Sequence, residues 1–495
     1  FMKHVFYLAF LTLLVASCSS TNERSYASKD SNSPIEVYMS PTQGKEAFEK
    51  MYNMIKSAKK EVSVTVYSWS DAAFTKALKA SLSQKNPPIV RVVIKKDLYA
   101  KQLKAITELE KMGAMFKTAK IQLHEKFVLV DGVKLVNSSA NMSNGAKYKY
   151  SENFVFFDGE KQPKESDISH TLNEFKKEFS IIWNSAHDIK TEGEIRSAGH
   201  LQVSEVDSKK ESDIIFYSSS MNYKITTPNK KDKAKGSTIG LKRIPNKKNQ
   251  IWTVKDALIK TIQSAKKNIL LNINHFNIRE ISDELIEAVK RGIDVKLVVD
   301  AQEFKTYINN KEMTPQFVSD YVALKGAKAS IPVRVKFYSF VPHFSSWSLN
   351  HHKYIMIDYD QDNPAQTKLL TGSYNYSKTA EHSKFDNQVL FQGKKYAKVY
   401  DAFFDEFDYL WKLERTSEDK PNQSSMNYFI KPKNGFIPLH SGKSISLTWK
   451  EAKQLKRDIT KVHPDAKTFY KFKHCYFFNV KEKVFYKQNK KTVCK

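Results

Sequence analysis

The sequence predicts an α/β protein built as two homologous α/β/α sandwich halves, packed about a pseudo-twofold axis, with a small C-terminal extension. Three observations predict it. A chemically distinctive motif occurs twice, the strands and helices around it recur in the same order, and each half closes on a helix with the same aromatic ladder. Self-similarity of this kind marks a duplicated unit whose copies bury their apolar faces against each other.

Each half opens on a short apolar strand, Ile35–Met39 or Ile214–Tyr217. A helix follows, ending in Ile55-Lys56-Ser57-Ala58-Lys59-Lys60 or Ile262-Gln263-Ser264-Ala265-Lys266-Lys267. The apolar runs Val62–Tyr67 and Ile269–Ile273 then read as buried strands. Second helices are predicted over Ala72–Leu82 and Ile281–Arg291, and further buried strands over Val90–Ile94 and Val295–Val299. This alternation predicts a parallel-leaning sheet with helices on its faces. The closing helices carry Phe175, Phe179, Trp183 and Phe403, Phe407, Trp411, an i, i+4, i+8 stripe expected in the core.

The repeated motif is His-x-Lys-x-x-x-x-Asp: His124, Lys126 and Asp131 in one half, His351, Lys353 and Asp358 in the other. On a strand, residues i and i+2 share a face, so each His points the same way as its Lys. Two imidazoles and two ammonium groups converging on one spot suit a phosphodiester. The cations hold phosphoryl oxygens, one His attacks phosphorus, and the other protonates the departing oxygen. Asp131 and Asp358 complete the catalytic motif, but their odd spacing from the Lys turns them away from the phosphate, so they are expected to support the turn. Next come Ser139-Ala140-Asn141 and Ser373-Tyr374-Asn375, whose Ser139, Asn141, Ser373 and Asn375 are expected to donate to phosphoryl oxygens. A third element places Glu152 and Asp386 at matching positions. A carboxylate there would accept a proton from one imidazole nitrogen and aim the other.

These three elements, in order and twice, resemble the two-motif members of the phospholipase D superfamily over roughly residues 34–188 and 213–414. One departure is Ser138, where the family usually has the Gly kept at Gly372. The resemblance implies phospholipase D-like halves and one site per chain formed by both of them, so that a monomer suffices. It implies a phosphodiesterase that hydrolyses phospholipid to phosphatidate and a free headgroup through a phosphohistidine. His124 would be the nucleophile and His351 the general acid and base, although the residues alone allow the reverse. A metal-independent nuclease and a phosphatidyltransferase of the cardiolipin synthase type share the same motifs. No His/Cys cluster predicts a metal site, so no metal and no cofactor is expected.

Residues 1–17 read as an export signal, since the apolar run Val5–Ala16 is too short to span a bilayer. Val15-Ala16-Ser17-Cys18 resembles a bacterial lipobox, which implies lipidation of Cys18 and an outer-membrane anchor facing the periplasm or exterior. Residues 18–33 form a polar tether. In an oxidising compartment Cys475 and Cys494 are expected to pair, which would stabilise the tail by about 3 kcal/mol. Residues 189–212 read as the linker between halves, Lys224–Lys248 as a long basic loop, and 415–495 as a basic, aromatic region of unassigned fold. The formal charge of +28 draws the protein to polyanions, whether an anionic membrane surface or nucleic acid. The aromatic segment Tyr338–Leu349, just before the second motif, leans toward lipid.

Overall fold

A computed structural model describes residues 33–191, 194–195, 199–206, 212–244, 253–300, 331, 333–336 and 349–419, with short strands at 428–431, 435–440, 443–444, 476–479 and 484–487. Residues 1–32, which hold the expected signal and nearly all of the expected tether with Cys18, together with Cys475, Cys494 and the segment 338–348, lie outside the described residues.

Among the described residues, the first half holds a sheet in the order Ile35–Ser40, Glu152–Asp158, Lys134–Ser138, Phe127–Val130, Glu61–Val66, Ile89–Ile94, Met115–Thr118, His187–Asp188. The second repeats it as Ile214–Ser218, Asn387–Gln392, Lys368–Gly372, Lys353–Ile357, Asn268–Ile273, Asp294–Asp300, Val333–Lys336. Both sheets are mixed rather than parallel-leaning. Glu61–Val66, Ile89–Ile94 and Met115–Thr118 run parallel because helices connect them. From Phe127 onward the pairing is antiparallel. The reversal is local: Asp131 at φ 54° and Gly132 at φ 70° turn the chain straight back on itself, and so short a connection joins only antiparallel strands.

Helices Gly44–Lys56, Ala72–Leu82 and Lys96–Lys111 flank the first sheet, and Thr253–Gln263 and Arg279–Lys290 the second. Asp71 starts its helix by accepting from the Ala73 backbone N–H at 3.2 Å. The other faces of the two sheets meet each other. Their shared core contains Phe157, Phe175, Phe179 and Trp183 from one half, and Met356, Phe391, Phe403 and Phe407 from the other. Phe157 stacks on Phe391 at 6.0 Å, and Phe175 meets Phe216 at 4.6 Å. The closing helices, Asp167–Ser185 and Ala397–Asp419, supply the aromatic stripes to this seam.

Residues 223–243 are not a long loop. Tyr223–Thr226 and Gly240–Arg243 pair antiparallel around the short helix Lys230–Lys233. The hairpin grips the first half, with Asp232 paired to Lys120 at 2.5 Å and to His187 at 3.0 Å. The Lys117 ammonium donates to the Gly236 carbonyl at 3.0 Å. The composition of this segment, which reads as solvated charge, gives no sign of these contacts with the first half.

Asp131 and Asp358 do not join the catalytic set. The Asp131 carboxylate accepts backbone N–H bonds from Lys59, Lys60 and Glu61 at 2.7–3.1 Å. Asp358 does the same for Lys266, Lys267 and Asn268. Each ties the far end of its motif strand to the Ser-Ala-Lys-Lys turn after the first helix, which explains why that turn recurs. Burial works to raise the Asp131 carboxyl, but the backbone donors outweigh it and hold it below the usual range. A carboxyl lowered by folding contributes stability above its unfolded value of about 3.9, and that contribution is lost as pH falls through the lower folded value. Asp131→Ala is therefore expected to cost about 1–3 kcal/mol in urea unfolding at neutral pH, with the difference from the parent closing below about pH 3.

Candidate functional site

The two motif strands end at the seam, where the halves bond to each other backbone to backbone. The His124 N–H donates to the Phe385 carbonyl at 3.0 Å, and the His351 N–H donates to the Ser151 carbonyl at 2.9 Å. Each bonded carbonyl belongs to the residue just before the other half's carboxylate. That register decides the side-chain pairing. His124 Nδ1 lies 2.7 Å from Asp386 Oδ1, and His351 Nδ1 lies 2.8 Å from each Glu152 oxygen. The carboxylates thus serve the imidazole of the opposite half, a crossing that the order of residues along the chain did not reveal.

With both Nδ1 atoms engaged, both Nε2 atoms are left for chemistry. His124 is buried and His351 half-buried. The groups are close enough for Lys126, Lys353, Lys384 and His351 all to disfavour a proton on His124. Burial, reinforced by those cations, pushes His124 well below its ordinary value. His351 is lowered by burial to about 4, less far, because Glu152 supports its charged form. Glu152 is itself held below the usual carboxylate range. Burial opposes this, but His351, Lys353 and the Ser139 hydroxyl prevail. Burial pushes Asp386 the other way, up to about 7, against Lys126 and Lys384. Basic groups crowd the two imidazoles, and a bound anion would favour the charged forms that burial and mutual repulsion now disfavour.

The remaining predicted residues divide. Lys126 and Lys353 each donate to the backbone carbonyl of their own motif His. Burial lowers Lys126 to about 7 and Lys353 well below its ordinary value. Asn141 and Asn375 make no side-chain hydrogen bond to the described residues, and their amide oxygens are buried without a partner. Ser139 and Ser373 both have partners. The Ser139 hydroxyl donates to Glu152 at 2.7 Å and accepts from the Asn153 N–H at 3.0 Å. Ser373 donates to Asp386 at 2.8 Å and accepts from the Asn387 N–H at 3.1 Å. A hydroxyl has one proton to give, so these serines position the carboxylates instead of holding phosphate. Ser138 fits where Gly372 stands in the second half. Its hydroxyl lies 3.3 Å from the Lys126 and Ala140 carbonyls, whereas a Cβ at Gly372 would meet the Asn387 carbonyl at 2.3 Å.

Two neighbours escaped sequence reasoning. The Tyr67 ring sits edge-on to His124 at 4.9 Å with the Lys126 ammonium 5.1 Å from its centre. Lys384 adds positive charge to His124, Lys126 and Asp386. Neither carries a periodic or repeated signal, since Asn274 and Tyr150 occupy the matching positions. Among the described residues no group of three or more His, Cys, Asp or Glu could hold a metal ion, and no helix is long and apolar enough to cross a membrane.

The family profile described as "Cardiolipin synthase, PLD-like domain" matches residues 51–183 and 258–411. The chain is 25% identical over 143 residues to the mitochondrial cardiolipin hydrolase of Danio rerio, covering 28% of this chain and 58% of that protein. It is 24% identical over 143 residues to a phospholipase D of Rickettsia prowazekii, covering 29% and 57%. The chain thus spans little more than half the length of these curated relatives. Among solved structures, the phosphatidylserine synthase of Haemophilus influenzae matches with a TM-score of 0.47 at 13% identity, over 87% of this chain and 94% of that one. Nuc from Salmonella typhimurium matches with a TM-score of 0.28 at 22% identity, over 32% and 98%.

If Lys126 grips an anion only while protonated, kcat/KM falls as pH rises through about 7, the lowered value of that ammonium. In Lys126→Arg the fall moves to higher pH, because a guanidinium keeps its charge. A pH–rate series on the two proteins checks this.

Proposed function

Starting from the premise that this chain belongs to the phospholipase D superfamily, its family profile matching both halves, we propose that it hydrolyses a phospholipid to phosphatidate and a free headgroup. One observation carries the reading: among the described residues, the crossed His124–Asp386 and His351–Glu152 pairs leave two imidazole Nε2 atoms unengaged near Lys126 and Lys353. In this proposal His124, the more strongly disfavoured as a cation, attacks phosphorus through its neutral Nε2. His351, whose charged form Glu152 supports, takes up a proton as the phosphodiester anion binds and passes it to the departing headgroup oxygen. Lys126, Lys353, Asn141 and Asn375 hold the non-bridging oxygens. His351 then takes a proton from water, which cleaves the phosphohistidine and frees His124.

The names of both curated relatives, cardiolipin hydrolase and phospholipase D, support lipid as the substrate. So does the lipobox-like Val15-Ala16-Ser17-Cys18, which in this proposal holds an exported protein at a membrane surface.

The test offers the purified protein labelled phospholipid and labelled DNA, with chelator present. Phosphatidate release is expected, and His124→Asn and His351→Asn are each expected to lower it by about 10^2–10^4-fold or more. DNA scission without lipid turnover, or phosphatidate formed only when an alcohol acceptor is supplied, would overturn the hydrolase reading.

A further inference from the structure

The middle residue of each His-x-Lys motif points away from the catalytic pocket, into the seam. In the second half this is His352, fully buried. Its Nδ1 accepts from the Asn153 amide at 3.1 Å and its Nε2 donates to Glu406 at 3.2 Å. Glu406 lies on the closing helix Ala397–Asp419. The first half places Glu125 at the same point and Glu178, on the closing helix Asp167–Ser185, opposite it. Two carboxyls therefore stand where the other half has an imidazole and a carboxyl.

Glu178 is supplied with donors: the Ser218 hydroxyl reaches one oxygen at 2.8 Å and the Ser220 hydroxyl the other at 2.5 Å. Glu125 is fully buried, and no donor among the described residues meets hydrogen-bond geometry with either of its oxygens. Glu178 and Asp386, the carboxyl that orients His124, are its acidic neighbours. The Asn387 amide is near but outside bonding geometry. Buried acceptors without a donor are strongly unfavourable, and a carboxyl in that position relieves the cost by keeping its own proton.

We propose that Glu125 is a proton-bearing positioning residue, a neutral carboxylic acid that donates to the Glu178 carboxylate as His352 Nε2 donates to Glu406. The charged and titratable groups facing it are Glu178, with Glu174 beyond it on the same helix, Asp386 from the other half, and Lys126 on its own strand. An ionised Glu125 would place a third negative charge against Glu178 and Asp386. It would drive Asp386 to take up a proton and so release the His124 Nδ1–H. Burial and both neighbouring acids push the Glu125 carboxyl well above its ordinary range, in keeping with the geometry. Its consequence for catalysis rests on the proposed role of His124; the proton itself does not.

The test needs no substrate. A proton kept in the folded protein and lost on unfolding destabilises the fold as pH rises above the ordinary glutamate value of about 4.3. Urea unfolding of the parent and Glu125→Gln across pH should therefore diverge, the ratio of their unfolding constants changing about tenfold per pH unit until the folded carboxyl ionises. Glu125→Leu, which gives Glu178 no donor, should be less stable than Glu125→Gln and lose more of kcat at unchanged KM. Parallel curves for the parent and Glu125→Gln would overturn the proposal. So would a Leu variant as stable as the Gln variant, or a Gln variant that fails to fold, because the amide supplies a donor in the same place. Since stability is read without turnover, failure here is distinct from failure of the lipid assay.

Discussion

The crossed imidazole–carboxylate pairs are the constraint on which the site depends. Each histidine needs a partner that its own half does not supply. Asp386 reaches His124 and Glu152 reaches His351 only because the seam brings Phe385 against His124 and Ser151 against His351 through backbone bonds. An imidazole left without that partner is free to rotate and to hold its proton on either nitrogen. The aromatic core between the sheets therefore does more than exclude water. Phe157 on Phe391 and Phe175 on Phe216 fix the halves at the spacing the crossed pairs require.

Around these pairs the polar groups form layers with different duties. Asn141 and Asn375 bury amide oxygens that have no partner among the described residues. Ser139 and Ser373 sit one layer behind and spend their hydroxyl protons on the carboxylates. Asp131 and Asp358 lie at the far ends of the same strands and hold backbone. A single short motif therefore brings its His and Lys to the seam at one end and ties down backbone at the other.

Much of this was legible in the sequence. The duplication, the strands leading to each His-x-Lys, and the aromatic stripes of the closing helices follow from periodicity, because burial imposes a period on the chain. The odd spacing of Asp131 and Asp358 already turned them off the catalytic face. What stayed hidden depends on contacts between halves. The crossing of Glu152 and Asp386, the engagement of the serine hydroxyls, and the grip of the Tyr223–Arg243 hairpin on Lys120 and His187 involve partners distant in the chain. The mixed sheet was misjudged because strand–helix alternation was extended past Phe127, where a tight turn takes over. Tyr67 and Lys384 have no counterpart in the other copy, so the repeat gave no hint of them.

Fusion of the two halves has a consequence that a pair of identical subunits would forbid. In a symmetric dimer, any change beside one imidazole is copied beside the other. Here Tyr67 faces His124 while Asn274 in the matching place donates to the Asn350 carbonyl, and Glu125 is matched by His352. The joined polypeptide can thus drift on one flank at a time, giving its twin histidines unequal surroundings and a division of labour that no gene encoding a single copy could inherit.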